Sequence, residues 1–205
     1  MQKYLNLVLK QHTAMKNVQL YDKSFKLYLT YDEIQKAVDD VAEKINRDYD
    51  QEDTPLFLGV LTGSFMFYAD LMKRIDFPCE MCFIRLASYE GTSTTGAVKQ
   101  MLGLTKSVRG RNVIVVEDIV DTGTTIMELD QILKDGGARS IKYSALLLKP
   151  GNYKGSIKID YPAFSIPNDF IVGYGLDYDQ LGRNLKDIYV LDEEETERRK
   201  GINIK

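Results

Sequence analysis

Residues 113–125 read V-I-V-V-E-D-I-V-D-T-G-T-T, a run that begins as a β-strand and ends with carboxylates and hydroxyls around one glycine. The four apolar residues 113–116 predict a buried strand. Apolar positions at helical spacing over 126–135, closed by Gly136 and Gly137, predict the helix that follows. The acidic and hydroxyl side chains therefore lie where a strand passes into a helix.

The same strand, turn and helix pattern occurs earlier in the chain. Residues 56–61 are apolar, T-G-S follows at 62–64, and F-M-F-Y-A-D-L-M-K-R predicts a helix over 65–74. A capping box before residues 31–48 predicts another, amphipathic helix, and residues 143–148 predict a third strand. Apolar strands alternating with helices predict a mostly parallel sheet flanked by helices, which binds ligands beyond the carboxyl ends of its strands.

Length and composition predict one globular domain. The chain has 205 residues, of which 44% are hydrophobic and 28% charged, and its net charge is -3. That charge gives no bulk attraction to nucleic acid or to an anionic membrane. Because no apolar run reaches the length of a membrane span and the N-terminus lacks a signal-peptide pattern, we expect a cytoplasmic protein.

Three polar or reactive segments leave alternatives open. Cys79 and Cys82 form a C-x-x-C pair, which is either a redox motif, half of a zinc site, or two reduced cysteines in a strand; the last is favoured. Residues 88–110 are glycine-punctuated and weakly patterned, so they are either a flexible β-ribbon or a functional lid. The charged tail 192–200 is interpreted as a solvated helix or a frayed end.

The strand-to-helix turn at 121–125 has the composition of a phosphate site. Its amide N–H groups and hydroxyls meet the positive end of a helix dipole. Neither G-x-x-x-x-G-K-[ST] nor G-x-G-x-x-G occurs, so nucleoside triphosphates and dinucleotides are not favoured. Glu117 and Asp118 would repel each other unless a ribose diol or hydrated Mg²⁺ separated them. The simpler alternative is that Asp121 only caps the helix.

The thirteen residues quoted above resemble the phosphoribosyl-diphosphate signature of the type I phosphoribosyltransferases. That signature has four apolar residues, two acids, two more apolar residues and D-T-G-x-T. The resemblance extends from about Tyr21 to Leu191 and is closest to the hypoxanthine-guanine branch. It implies an α/β fold with a small hood and a mobile lid. Within a single domain 1–205 it gives an N-terminal extension 1–20, a lid loop 88–110, and a hood with the C-terminal segment at 150–205.

The resemblance also assigns the phosphoribosyl diphosphate site. Glu117 and Asp118 hold the ribose diol, and Asp177 anchors Mg²⁺, chiefly through water, with the same two acids as further metal candidates. The remaining assignments are the phosphate loop Asp121, Thr122, Gly123, Thr124 and Thr125; the pyrophosphate residues Thr62, Gly63 and Arg183; and the lid residues Ser88 and Tyr89.

For the purine, the resemblance places Asp121 beside N7, where its carboxylate acts as the general base. Lys149 offers only donors, so it suits the 6-oxo group of hypoxanthine or guanine. Phe170 stacks on the base, and backbone carbonyls near Ile171 and Asp177 read the 2-amino group. Without the resemblance, Lys149 would be interpreted as a solvated lysine and Phe170 as a core aromatic residue.

The resemblance predicts purine salvage. The 5-phosphoribosyl group passes from phosphoribosyl diphosphate to N9 of hypoxanthine, and of guanine, giving IMP or GMP and pyrophosphate. The alternatives are a relative that uses uracil, xanthine or adenine, or a regulator that keeps the fold and binds nucleic acid. Relatives imply a homodimer or homotetramer and a cis peptide bond before Thr62, at a position where the family often has lysine.

Overall fold

The computed structural model describes residues 17–50, 52, 54–87 and 99–202. These residues divide into two compact units, one built from 17–34 with 169–202 and the other from 35–168. The predictions for residues 1–16 and for the lid residues Ser88 and Tyr89 lie outside the described residues.

The larger unit contains a six-stranded sheet with the order β5-β4-β3-β6-β7-β8. Neighbouring strands from β4 to β8 run parallel, and β5 alone is antiparallel to its neighbour β4. The strands are β3 (Leu56–Val60), β4 (Glu80–Ala87), β5 (Lys99–Leu102), β6 (Asn112–Val120), β7 (Ser140–Leu148) and β8 (Tyr161–Ser165). The predicted mostly parallel sheet is therefore confirmed.

The predicted helices are also present, with small changes at their ends. They are α1 (Tyr31–Asp48), α2 (Phe65–Met72) and α3 (Thr124–Asp135). The capping box before α1 forms, because the Thr30 N–H donates to Glu33 Oε2 at 2.8 Å and the Glu33 N–H donates to Thr30 Oγ1 at 3.4 Å. Gly137, with φ 79°, supplies the left-handed residue that follows α3.

Strand β6 is longer than its apolar run predicts. It pairs with β7 as far as Val120 opposite Leu148, so Glu117 and Asp118 lie within the strand and not in a turn after it. The ladder of backbone hydrogen bonds continues past the two acids, since a strand's pairing depends on its backbone and not on side-chain polarity. Sequence periodicity cannot detect this extension.

The structure also bears on two smaller predictions, for the segment 88–110 and for the two cysteines. Within the predicted loop 88–110, residues 99–102 form strand β5, in agreement with the β-ribbon interpretation for that part of the segment. Cys79 precedes β4, and only Cys82 lies in the strand. Both cysteines are free thiols, so they do not form a disulfide.

The smaller unit is an antiparallel sheet of four strands with the order β1-β2-β10-β9. The strands are β1 (Asn17–Leu20), β2 (Lys23–Leu29), β9 (Ile171–Val172) and β10 (Ile188–Leu191). Leu20, Phe25, Val172 and Tyr189 form its buried core. Within this unit, the charged tail forms helix α4 (Glu193–Ile202), one of the two predicted alternatives.

Thr196 joins α4 to β2 through a buried hydroxyl. Its Oγ1 accepts the Ser24 N–H at 2.9 Å and donates to the Asp192 carbonyl at 2.7 Å. The tail is thus fixed to the small sheet by a defined polar contact. In the part of the chain that the structure describes, no helix has the length and apolar character that a bilayer crossing requires.

Candidate active site

Glu117 places an unsatisfied carboxyl oxygen in the interior of the larger unit. Its side chain is 7% exposed, and its Oε2 lacks a hydrogen-bond partner among the described residues. Burial, together with the charge and hydrogen bond of the neighbouring Asp118, raises the pKa of Glu117 well above its usual range. A hydroxyl donor from a ligand would satisfy this oxygen.

The turn after β3 lies directly against Asp118. A Cβ atom added at Gly63 would stand 1.5 Å from Asp118 Oδ2, so no larger residue fits while the carboxylate keeps its place. Gly63 does not have a left-handed φ, so glycine is required here by lack of space and not by conformational freedom. The Leu61–Thr62 peptide bond is cis, as the resemblance predicts.

The turn after β6 leads into the N-terminus of α3. Gly123, with φ 88°, occupies the N-cap position and makes no side-chain capping bond. The simpler alternative, in which Asp121 caps the helix, is therefore wrong. Thr122 Oγ1 lies 3.1 Å from Thr124 Oγ1 and accepts the Thr124 N–H in a long hydrogen bond of 3.5 Å. N–H groups and hydroxyls at a helix N-terminus suit a phosphate.

Asp121 is held by two donors that follow β7. Lys149 Nζ lies 2.9 Å from Asp121 Oδ2, and Asn152 Nδ2 donates to Asp121 Oδ1. Lys149 is 8% exposed, so the interpretation of a solvated lysine is wrong. Partial burial raises the pKa of Asp121, but the hydrogen bonds from Lys149 and Asn152 lower it further, and the net shift is downward. The Asp121 carboxyl is therefore ionised at neutral pH.

In the smaller unit, Asp177 and Arg183 form a partly buried ion pair. Arg183 Nη2 lies 2.7 Å from Asp177 Oδ1, and Arg183 Nη1 donates to the Gly175 carbonyl at 2.8 Å. Asp177 Oδ2 accepts the Gln180 N–H at 2.7 Å. Both oxygens of Asp177 are therefore occupied in this structure, and the guanidinium is fixed in place by a carboxylate and a carbonyl.

Phe170, in the same unit, is 42% exposed and is therefore not a core residue. Its ring packs edge-on against Tyr178 with centroids 5.8 Å apart, and Lys23 Nζ lies 5.0 Å from its centroid. Ile171, the next residue, is buried in β9. Because the neighbours cover only part of the Phe170 ring, a flat ligand can stack on the rest of it.

Comparison with known proteins identifies the family. The model for the phosphoribosyl transferase domain matches residues 28–179. The chain belongs to the phosphoribosyltransferase family. It is 41% identical over 170 residues to the hypoxanthine-guanine phosphoribosyltransferase of Streptococcus pneumoniae (strain ATCC BAA-255 / R6), covering 82% of this chain and 94% of that protein. It is 42% identical over 167 residues to the same enzyme of Bacillus subtilis (strain 168), covering 81% and 92%.

A solved structure of a Staphylococcus aureus hypoxanthine phosphoribosyltransferase has a TM-score of 0.76 to this chain at 37% identity, covering 83% of this chain and 92% of that one. The resemblance recognised in residues 113–125 and the predicted type I phosphoribosyltransferase fold are both confirmed. Five parallel strands flanked by helices are the shared architecture.

Few side chains in the described part of this phosphoribosyltransferase could serve as Mg²⁺ ligands. The described residues contain no group of three His, Cys, Asp or Glu side chains able to hold a metal ion. Mg²⁺ at phosphate sites commonly takes one or two carboxylates and completes its shell with water and substrate oxygens. Glu117, with its unpartnered oxygen beside Asp118, fits that partial role.

The larger unit brings together most of the predicted site of the phosphoribosyltransferase. At the carboxyl ends of β3, β6 and β7 it gathers Gly63 with Asp118, and Lys149 with Asp121. Sequence reasoning missed Asn152 here, and in the smaller unit it missed Lys23 beside Phe170. The signal for Asn152 was its position in K-P-G-N, residues 149–152, a turn that directly follows β7.

Proposed function

We propose that this phosphoribosyltransferase transfers the 5-phosphoribosyl group from phosphoribosyl diphosphate to N9 of hypoxanthine and guanine, in purine salvage. The observation that carries the proposal is the contact of Lys149 Nζ with the Asp121 carboxylate at 2.9 Å. A cation donor beside a carboxylate acceptor complements the 6-oxo group and the N7–H of an oxopurine, which are an acceptor beside a donor. The enzyme names of the two bacterial relatives support the same substrates.

The reaction breaks the bond between C1 of the ribose and the pyrophosphate oxygen and forms the bond between C1 and N9. Positive charge develops on the sugar and negative charge on pyrophosphate. The backbone amides of Gly123 and the following residues bind the 5-phosphate, and the Glu117 and Asp118 carboxyls hold the ribose hydroxyls. These contacts fix C1 in position for attack.

Asp121 takes the proton that leaves N7 as N9 attacks. Its pKa is held below the usual range by the hydrogen bonds of Lys149 and Asn152, although partial burial acts in the opposite direction. The carboxylate is therefore ionised at neutral pH and can act as a base. Lys149 exchanges its contact with Asp121 for the 6-oxo oxygen of the purine, and an adenine 6-amino group offers it no acceptor.

Mg²⁺, when bound with phosphoribosyl diphosphate, neutralises charge on the leaving group. Asp177, Glu117 and Asp118 are the carboxylates proposed to hold it, Asp177 chiefly through water. Arg183 and the backbone at Thr62 and Gly63 bind the diphosphate, and Phe170 stacks on the purine, with backbone carbonyls near Ile171 and Asp177 reading its 2-amino group. The resemblance supports the roles of Ser88 and Tyr89 in a closing lid and a homodimer or homotetramer. The lack of a membrane-span or signal-peptide pattern in the sequence supports a cytoplasmic location.

The test is a panel of steady-state rates with hypoxanthine, guanine, xanthine, adenine and uracil, each with phosphoribosyl diphosphate and Mg²⁺. We expect hypoxanthine and guanine to give nucleotide and adenine and uracil to give none. A Lys149→Met variant should lose activity with both oxopurines while keeping its affinity for phosphoribosyl diphosphate. Turnover only with adenine or uracil, or nucleic-acid binding without turnover, would overturn the proposal.

A further inference from the structure

Residues 149–154, the segment after β7, contact the phosphate loop at several points. The Lys149 N–H donates to the Val120 carbonyl at 2.9 Å, and the Lys154 N–H donates to the Thr122 carbonyl at 3.3 Å. Between these two bonds, the ring of Tyr153 lies against Gly123, where an added Cβ would stand 2.3 Å from the ring. The segment therefore follows the loop 120–123 along its length.

The Asn152 side chain is the point at which this segment reaches Asp121. Its own backbone is fixed, because the Asn152 N–H donates to the Lys149 carbonyl at 3.0 Å. Its Nδ2 donates to Asp121 Oδ1 while Lys149 Nζ contacts Oδ2. The two donors differ in the proposed reaction, since Lys149 moves its contact to the purine and Asn152 has no assigned purine contact.

We propose that Asn152 is a positioning residue that holds the Asp121 carboxylate in the orientation needed to receive the purine proton. This inference rests on the proposed function and deepens it. When Lys149 turns to the purine, Asn152 remains the side chain that fixes Oδ1, so that Oδ2 faces the base. A carboxylate without that bond rotates about its χ2, a broad and weakly restricted torsion, and loses its alignment with N7.

The experiment compares Asn152→Ala and Asn152→Asp with the wild-type protein. Asn152→Ala removes the donor. Asn152→Asp keeps the shape and replaces the donor with a negative charge that repels the Asp121 carboxylate. Asn17→Asp is the matched control, since it makes the same change at an exposed residue of β1. For each variant we would measure kcat and KM for both substrates as a function of pH, the melting temperature, and the affinity for phosphoribosyl diphosphate.

We expect Asn152→Ala to lower kcat by about ten- to a hundredfold, because small misplacements of a catalytic group are costly. The KM for phosphoribosyl diphosphate and the melting temperature should stay near the wild-type values. The acidic limb of the kcat profile should move to higher pH in Asn152→Ala and further in Asn152→Asp, since loss of the donor favours the protonated form of Asp121. Asn17→Asp should behave as wild type.

A wild-type kcat and pH profile in Asn152→Ala would overturn the proposal. An equal loss of phosphoribosyl diphosphate affinity and thermal stability, with no movement of the acidic limb, would also overturn it, because that result describes a purely structural residue. Titration of the Asp121 carboxyl by ¹³C NMR in the substrate-free protein gives a readout that is independent of activity. If that titration moves as expected in the variants but the wild-type protein turns over no purine, the proposed function fails and the Asn152–Asp121 contact does not.

Discussion

Asp121 has a different neighbour on each of its two carboxylate oxygens, Lys149 on one and Asn152 on the other. An Asp121→Asn substitution keeps the size of the side chain and removes its ability to take a proton. We expect it to lower kcat by about 10² or more, with IMP and GMP still bound. Steady-state rates and calorimetric titration with IMP would check this. Unchanged turnover would exclude Asp121 as the base.

Glu117 illustrates a conflict between stability and function at a single residue. Burial and the nearby Asp118 raise its pKa in the folded protein, so the unfolded chain ionises at lower pH than the folded one. Stability then falls as the pH rises from the ordinary carboxyl pKa through the raised one. The cost of burying this group is greatest where the carboxylate is ionised.

Glu117→Gln removes that cost and should therefore stabilise the ligand-free protein at neutral pH, with a gain that shrinks toward pH 4. A gain of about 1 kcal/mol would raise the melting temperature by about 2–4 °C. The same change should weaken binding of phosphoribosyl diphosphate, because an amide is a poorer acceptor for the ribose hydroxyls. Glu43→Gln, at an exposed position of α1, is the control. Lower stability together with unchanged binding would contradict this account.

The family signature predicts where Asp121 and Glu117 lie, near the carboxyl end of the strand that begins at Asn112. The contact of Asn152 with Asp121 was not predictable, because it depends on how the turn after β7 lies along the loop after β6, and the two residues are 31 positions apart in the chain. The spatial contact between parallel strands β6 and β7 creates that neighbourhood. Local sequence pattern carries no information on which turns meet at a sheet edge.

At the scale of elements, the turn between β3 and α2 and strand β6 depend on each other. A Gly63→Val side chain would occupy the space of the Asp118 carboxylate. We expect a large loss of phosphoribosyl diphosphate affinity, measured by titration, and a much smaller change in the free energy of unfolding. Gly201→Val, where an added Cβ meets nothing within 4 Å, is the control. Equal losses of affinity and stability would show that the turn serves folding only.

Helix α4 is attached to β2 by the hydrogen bond between the Ser24 N–H and Thr196 Oγ1, which the sequence pattern does not predict. Thr196→Val keeps the shape of the side chain but leaves the buried Ser24 N–H without its acceptor. An unsatisfied buried donor costs about 1–3 kcal/mol, and we expect a loss of that size in urea unfolding. Thr196→Ser keeps the hydroxyl and should lose much less. If both variants unfold alike, the Thr196 hydroxyl is not what fixes the helix.

The element boundaries show what periodicity can and cannot predict. Helix α1 was predicted over its full length because a capping box and a regular apolar face mark it. Strand β6 was underestimated, since its last residues pair through the backbone while carrying acidic side chains. For residues 99–102 the sequence left a β-ribbon and a lid as alternatives, because their pairing with β4 is a contact between distant positions that no local pattern records.

At the scale of the whole molecule, the scarcity of clustered metal ligands predicts how Mg²⁺ binds. Because the described residues contain no set of three metal-ligating side chains, Mg²⁺ alone should not raise the melting temperature. Mg²⁺ with phosphoribosyl diphosphate should raise the melting temperature. When the ligand is at a hundred times its Kd, binding increases the free energy of unfolding by about 3 kcal/mol.

Asp177→Ala should raise the concentrations of Mg²⁺ and of phosphoribosyl diphosphate that are required, both together. Thermal shift and steady-state titrations of each ligand would measure this. A change in purine affinity alone would remove Asp177 from the metal site. The balanced composition and the net charge of -3 could not predict this behaviour, because ion binding depends on which few carboxylates the fold places side by side.

A small molecule that enters beside Asp121 must displace an ion pair and not only water. A compound with a carbonyl for Lys149 and a ring N–H for Asp121 provides a new partner for each member of that pair. A compound with only one of these groups leaves a partly buried charge without a partner. Fragment libraries screened against this protein should therefore be enriched in heterocycles that present the two groups on adjacent positions. Simple hydrophobic rings of the same size should be poor starting points for inhibitors.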